Sequence, residues 1–442
     1  MSIAPVALAQ AGTTGPRVRG GRQHRGAAIV GGREGSAYGM TVGSPLDAWR
    51  DAVLELLRAA QVALPGGLAG AVNDAVRPLG VEFTMYLVDL EQRSLRAVPG
   101  ATEPVPRSLP IDDGPAGQAF MMISPVSVPD RPRRLWMPLQ DGTERLGVLE
   151  VALPDWLDPD DPELREGVTL VAMLLGHLVA AKTEYGDILL KSRRSRRLST
   201  ASELLWRTVP RLTFATERMV ISAVLEPCYE AGGDAFDYAV DADLARVAVL
   251  DGVGHGLTAG LTTAVAMSAM RTARVDGQPL EGMAGAADEA IIGNFSDQRF
   301  VTAVLAEVDL ATGVVRYLNA GHPPPVLLRG GKAVALLDQG RRTPLGIADP
   351  TAEVGQHELE PGDRLLCYTD GFTEARDEHG EEFGLSRLVE LAECHTAAGL
   401  PVPETLRRLS HDVLDHQVGP LHDDATLLMF SWSAADSRRT LL

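Results

Sequence analysis

The sequence predicts an α+β protein of two folded modules joined by a helical linker, and three observations predict it. Strand-like apolar runs occur in both halves, at residues 83–88, 126–128, 134–138 and 146–153, then at 219–225, 246–250, 301–309, 314–319, 364–368 and 425–430. Helical patterns fall between these runs rather than in a block of their own. The length, 442 residues, implies two or three domains at roughly 100–200 residues each.

Composition narrows the class. Hydrophobic residues make up 45% and charged residues 23%, enough apolar material for packed cores. Acids outnumber bases 59 to 41, a net charge of −18, which argues against a nucleic-acid binder or a binder of anionic membranes. Cys228, Cys367 and Cys394 have no C-x-x-C spacing, so neither a disulfide framework nor a thiolate zinc site is expected; buried free thiols in a reducing, cytoplasmic setting are. The longest apolar stretch, residues 168–181, is interrupted by Thr169 and His177 and falls short of the ~20 residues of a membrane span. The first residues lack the basic region of a signal peptide.

Residues 1–43, rich in Gly, Ala and Arg without periodicity, are expected to form a disordered, locally basic arm. Ser44-Pro45-Leu46 opens a helical pattern continued by Trp49, Val53, Leu54, Leu56 and Leu57. Strands follow, and an apolar helix around 168–181 closes a first domain at 44–186. Within it, the run from Ile111-Asp112-Asp113-Gly114 to Phe120, then Val126-Ser127-Val128, Trp136-Met137-Pro138-Leu139 and Gly147-Val148-Leu149-Glu150-Val151 resemble a GAF domain. That resemblance implies a sensor holding a small molecule, or a dimerisation module and hence a homodimer. Residues 187–207 are expected to be a helical linker, with the basic cluster Lys191 to Arg197 on a helix that is either a solvated face or a signalling element. The second domain, 208–432, reads as β-rich with two long helices, one near 258–272, and a hairpin turned at Thr312-Gly313; residues 433–442 follow as a tail.

The second domain repeats one pattern four times: an Asp borders a strand-like run, often beside Gly. The instances are Gly232-Gly233-Asp234 with Asp237, Leu250-Asp251-Gly252, Tyr368-Thr369-Asp370-Gly371, and Asp423-Asp424 before Ala425. A lone Asp-Gly is an ordinary turn. Four such motifs in one domain can bring carboxylates to one cleft, where their charges repel and a divalent cation relieves the repulsion. An all-oxygen set suits Mg²⁺ or Mn²⁺ rather than zinc. Glycine beside a ligand permits positive φ and close approach of a backbone carbonyl.

These motifs, in order with Asp251-Gly252-Val253-Gly254-His255-Gly256, Phe300-Val301-Thr302-Ala303, Asn319-Ala320-Gly321-His322-Pro323, Pro344-Leu345-Gly346, Thr373-Glu374-Ala375 and Asp423-Asp424-Ala425-Thr426, resemble the SpoIIE-like serine phosphatases of the PPM superfamily. The resemblance spans about residues 220–430. It implies an αββα sandwich and hydrolysis of phosphoserine or phosphothreonine on proteins with two Mn²⁺ or Mg²⁺ ions. It also implies a phosphorylated STAS-type anti-anti-sigma factor as substrate. By motif position Asp251 would bridge both ions, Gly252 would offer its carbonyl, and Asp370 and Asp423 would complete the ligand set of the second ion. Asp234 would bind directly or through water. Asp424 falls where relatives vary and would either bind metal or stand behind the ligands, and Asp237 is expected to be structural or to stand behind the ligands. His255 and His322 are expected to be hydrogen-bonded scaffold, because Val253 stands where eukaryotic relatives have a histidine. No phosphate-anchoring Arg can be placed. Two other readings compete: a catalytically idle scaffold that binds phosphoproteins, and another two-metal phosphohydrolase such as a nuclease, which the acidic charge disfavours.

Overall fold

The alternating apolar pattern of the first half folds as one antiparallel sheet with helices on both faces. The computed structural model describes residues 45–441 except 100–107, 227–228, 231, 350–351, 420 and 422. The expected arm at 1–43 lies outside the described residues, as do Cys228 and His422.

In the N-terminal module six strands run in the order Ser108–Pro110, Ser94–Ala97, Glu82–Val88, Glu144–Ala152, Arg134–Asp141, Val126–Val128. The two-residue period divides the side chains between faces. Phe83, Met85 and Leu87 pack under helices Pro45–Val62, Leu68–Val76 and Pro162–Thr183. Tyr86 and Val88 face helix Gly114–Met122 through Ala119 and Phe120. Helix Pro162–Thr183 is longer than the apolar run that marks it in sequence. By length and composition it could cross a membrane, but Val168, Val171, Leu175 and Val179 are spent on the module's core. Gly176 makes that packing possible: a Cβ there would lie 1.7 Å from the Gln140 carbonyl oxygen.

The expected linker is two short helices, Ile188–Arg193 and Thr200–Thr208, with a break between them. The basic cluster therefore does not lie on one helix. It is consumed in ties: Arg193 Nε donates to Val88 O at 3.0 Å and Arg194 pairs with Glu203 at 2.8 Å. Ser199 caps the second helix, its Oγ accepting from Ser202 N–H.

The C-terminal half is a sandwich of two six-stranded sheets. One orders strands Arg341–Arg342, Val314–Ala320, Val301–Asp309, Leu244–Gly252 and Asp234–Asp241, with Gly355–Glu358 also on Val314–Ala320. The other orders Lys332–Leu336, Val326–Arg329, Arg364–Tyr368, Ala425–Ser431, Val220–Glu226 and Thr213–Ala215. Phe236, Val247 and Val249 of the first meet Ile221, Leu428 and Phe430 of the second in the central core. Helices Gly256–Val275 and Leu280–Asn294 cover the first sheet, and Gly384–Ala397 and Val402–His416 cover the second. This is an α-β-β-α layering with four long helices, where the sequence pattern reveals two. The segment after Trp432 is folded: helix Ala434–Arg438 is held by a buried pair between Asp436 and Arg364 at 2.8 Å. Cys367 is buried, whereas Cys394 is exposed, against the expectation of buried thiols.

Residues 43–442 form one compact unit, and polar contacts stitch its two halves. Glu404 on helix Val402–His416 is wholly buried. It accepts from Arg145 Nη1 at 3.2 Å and from Arg407 Nε at 2.9 Å. Arg407 also pairs with Asp112 of the N-terminal module.

Candidate active site

Antiparallel register brings the acidic motifs together. Asp234 begins its strand, Asp251 nearly ends the neighbouring one, and the two are direct cross-strand partners; on the other side Asp251 faces Thr302. In the second sheet Asp370 follows strand Arg364–Tyr368, and Asp423 and Asp424 precede its antiparallel partner Ala425–Ser431. Each sheet thus delivers its aspartates at one end, and hydrogen bonds join the two ends. Thr369 Oγ1 donates to Asp234 Oδ2 at 2.7 Å. Asp424 Oδ2 accepts from Gly232 N–H at 2.8 Å and also from Gly233 N–H.

Charge repulsion is written into the cluster. Asp234 is almost fully buried, and burial, then Asp251 and Asp424, push its carboxyl well above the usual range. Burial, then Asp370 and Asp423, lift Asp251 to about 7. Asp370 is raised by burial and by Asp423. Asp424 is raised by burial, although the Gly233 and Gly232 N–H groups pull it back. No cation is among the strongest influences on these four groups. All-carboxylate, uncompensated donors of this kind fit a hard divalent ion. As the side chains stand, no three His, Cys, Asp or Glu groups among the described residues are close enough to hold a metal. The donor chemistry fits the ion.

The glycines act differently from expectation. Gly232, Gly233, Gly252 and Gly371 do not have positive φ; left-handed backbone comes later, at Gly254 and Gly256. What the four share is crowding. A Cβ on Gly233 would lie 2.5 Å from Gly252 O, and one on Gly371 2.0 Å from Asp424 O. Backbone passes so near backbone that only hydrogen fits.

Asp237 stands apart from the cluster. Its buried carboxylate pairs with Arg271 and Arg274, both at 2.6 Å, as structural residues do. His322 is buried: Nδ1 is 2.8 Å from Thr302 Oγ1, its backbone N–H donates to Asn319 Oδ1, and burial holds its pKa down to about 4. His255 is exposed at the head of helix Gly256–Val275, and its side chain makes no capping hydrogen bond there. Asp423 is exposed and accepts from Asp424 N–H at 2.9 Å.

Two residues escaped the sequence reading. Thr302 Oγ1 sits between His322 and Asp251, 3.4 Å from Asp251 Oδ2, and Thr369 links the sheets. Both lie inside motifs legible in the sequence, but a threonine carries no charge to mark it. Their role comes from cross-strand register. The Pro344-Leu345-Gly346 motif is explained as well: Leu345 bridges to Val301, and Gly346 N–H donates to Asp288, which pairs with buried Arg342.

Comparison with known proteins places this half of the chain. Residues 241–433 match the family described as Stage II sporulation protein E (SpoIIE). That region is similar to SpoIIE-family domains. The phosphoserine phosphatase RsbU of Bacillus subtilis (strain 168) is 26% identical over 217 residues, 48% of this chain and 63% of RsbU. The phosphoserine phosphatase RsbP of the same organism is 26% identical over 161 residues, 35% of this chain and 40% of RsbP. Among solved structures, the SiaA-PP2C domain of Pseudomonas aeruginosa is 26% identical, with a TM-score of 0.45, covering 57% of this chain and 98% of that one. The chain spans less than two thirds of the length of these curated relatives.

Proposed function

We propose that this protein is a Mn²⁺- or Mg²⁺-dependent protein serine/threonine phosphatase acting on a phosphorylated STAS-type anti-anti-sigma factor, under control of its GAF-like module. The observation that carries the reading is the convergence of Asp234, Asp251, Asp370, Asp423 and Asp424, from two sheets, on one edge of the sandwich. Relatives named phosphoserine phosphatases support the substrate class.

Asp251, the Gly252 carbonyl, Asp370 and Asp423 would hold the two ions, and Asp234 would bind directly or through water. Asp424, already committed to the Gly232 and Gly233 amides, would hold the ligand-bearing backbone in place. Bound ions of this class acidify a water into a nucleophile and clamp phosphoryl oxygens. Thr302 keeps the Asp251 carboxylate oriented by standing between it and His322. His322 stays neutral at physiological pH, so it orients by hydrogen bonding rather than by charge.

The buried Glu404–Arg145–Arg407 ties and the pairing of Arg407 with exposed Asp112 support control by the first module. So does the packing of helix Thr200–Thr208 on Gly256–Val275, the helix that leaves the Asp251 loop.

The experiment is phosphate release from a serine-phosphorylated STAS protein with and without Mn²⁺. Wild type should turn over only with the metal, and Asp251→Asn and Asp370→Asn should not turn over at all. Binding of the phosphoprotein without turnover under either metal would favour the idle scaffold.

A further inference from the structure

Two short segments carry the residues that stand beside Asp251. Thr302 follows Val301 on strand Val301–Asp309, and His322 follows Gly321 just past strand Val314–Ala320. Thr302 Oγ1 lies 2.8 Å from His322 Nδ1 and 3.4 Å from Asp251 Oδ2. The hydroxyl can serve both neighbours only while both backbones hold their places.

One loop backs both segments. Val301 and Leu345 exchange two backbone hydrogen bonds, each at 2.9 Å. Arg342 pairs in register with Ala320, and Asn319 N–H donates to Gly340 O at 2.8 Å. Pro344 lies against Gly321, where φ is +71° and a Cβ would come within 2.8 Å of the proline ring. Residues 340–346 therefore touch the backbone directly before Thr302 and directly before His322.

A buried ion pair sets the course of that loop. The side chains of Arg342 and Asp288 are 2% and 8% exposed. Asp288 comes from helix Leu280–Asn294. Its carboxylate accepts from Arg342 Nη2 at 2.7 and 3.0 Å and from Gly346 N–H at 2.8 Å. The guanidinium also donates to two carbonyls of the same loop, Thr343 O at 3.0 Å and Ile347 O at 3.3 Å. A buried ion pair adds little net stability over apolar side chains of similar size. What this one supplies is direction, through charge-assisted hydrogen bonds spread from residue 342 to residue 347.

We propose that Asp288 and Arg342 are positioning residues: their pair fixes the 340–346 loop so that Thr302 and His322 hold the Asp251 carboxylate in place. The proposal rests on the phosphatase reading given above. It makes helix Leu280–Asn294, which bears none of the clustered aspartates, part of the frame of the site.

The test replaces the pair with apolar side chains of similar size, Asp288→Leu together with Arg342→Met, in the full chain. The midpoint of thermal unfolding should be unchanged or higher. With p-nitrophenyl phosphate and Mn²⁺, kcat should fall about tenfold while KM stays within about twofold, the loss of one oriented hydrogen bond. In a Thr302→Val background the same replacement should cost less than about twofold more, since the hydroxyl being positioned is already gone. NMR of the metal-free protein gives a readout free of turnover: the His322 ring nitrogens should show one tautomer in wild type and averaged shifts in the double variant. Arg342→Lys keeps the charge but cannot span both loop carbonyls, so it should lower kcat at least about threefold, and it carries the test should the double variant not fold. The proposal is overturned by a folded double variant with wild-type kcat and an unchanged His322 spectrum, by losses that multiply fully with Thr302→Val, or by wild-type kinetics in Arg342→Lys. No turnover by wild type would instead defeat the phosphatase reading, and the His322 spectra would still decide the positioning.

Discussion

Asp251 has burial and three neighbouring carboxylates against its charge, and removing that charge should have opposite effects on activity and on stability. Its pKa stands at about 7 against an ordinary 3.8, through burial and the nearby Asp370 and Asp423. A pKa raised in the folded state means stability that is complete below the unfolded value and lost as pH rises through the folded one. At about 1.36 kcal/mol per unit, this shift corresponds to on the order of 4 kcal/mol lost between pH 4 and pH 8 in metal-free protein. Asn has nearly the same shape and no charge to lose. It gives up only a long contact with Thr302, 3.4 Å in the structure. Asp251→Asn in EDTA at pH 8 should therefore be more stable than wild type by roughly 2–4 kcal/mol, and the gap should close near pH 4. Urea denaturation followed by circular dichroism at both pH values measures this. Adding Mn²⁺ should raise wild-type stability by mass action and the variant's far less. An Asp251→Asn protein less stable than wild type at pH 8 in EDTA would refute the account of a repelling, uncompensated cluster.

The remaining predictions concern the frame around these carboxylates. Gly371→Ala places a Cβ 2.0 Å from Asp424 O, so backbone must move; stability should drop by about 2 kcal/mol or more, and phosphate release should fall further than that loss explains. Thr302→Val keeps the shape and removes the hydroxyl between Asp251 and His322; kcat should fall about tenfold with KM little changed, and equal kinetics would dismiss Thr302 as an orienting group. His322, with its pKa held at about 4, should show a neutral imidazole by NMR down to about pH 5. Its contribution to stability is present above about 6.5 and is lost as pH falls towards 4, so a midpoint near 6.5 would contradict its burial. Glu404→Gln leaves Arg145 and Arg407 buried beside a neutral group and should cost about 3–5 kcal/mol while altering phosphate release; a loss under about 1 kcal/mol would show that the ties are dispensable.

Much of this arrangement was legible in the chain. Strand runs such as 83–88 and 301–309 are mostly buried because both of their faces meet a core, and such strands show in the sequence as short apolar runs. The four Asp motifs stood out because acids beside glycine at the ends of apolar runs are unusual in combination. Helices Gly384–Ala397 and Val402–His416 were not read. The second buries Glu404, Arg407 and His411 against the other half of the molecule, so polar residues occupy positions where a core-facing stripe is sought. Their burial is bought by partners far away in sequence, Arg145 and Asp112 among them.

The sequence alone determined which residues are available: a string of aspartates at strand ends, two modules and the order of their elements. These are local properties, set by side-chain chemistry and spacing. Only the tertiary structure decided which carboxylates meet. Cross-strand register puts Asp251 opposite Asp234 and Thr302, and the stacking of two sheets sets Asp370, Asp423 and Asp424 against them. It also decided that the glycines serve close approach rather than turning and that Asp237 belongs to an ion pair. Each of these depends on separations of tens to hundreds of residues, and distances of that kind are settled by packing.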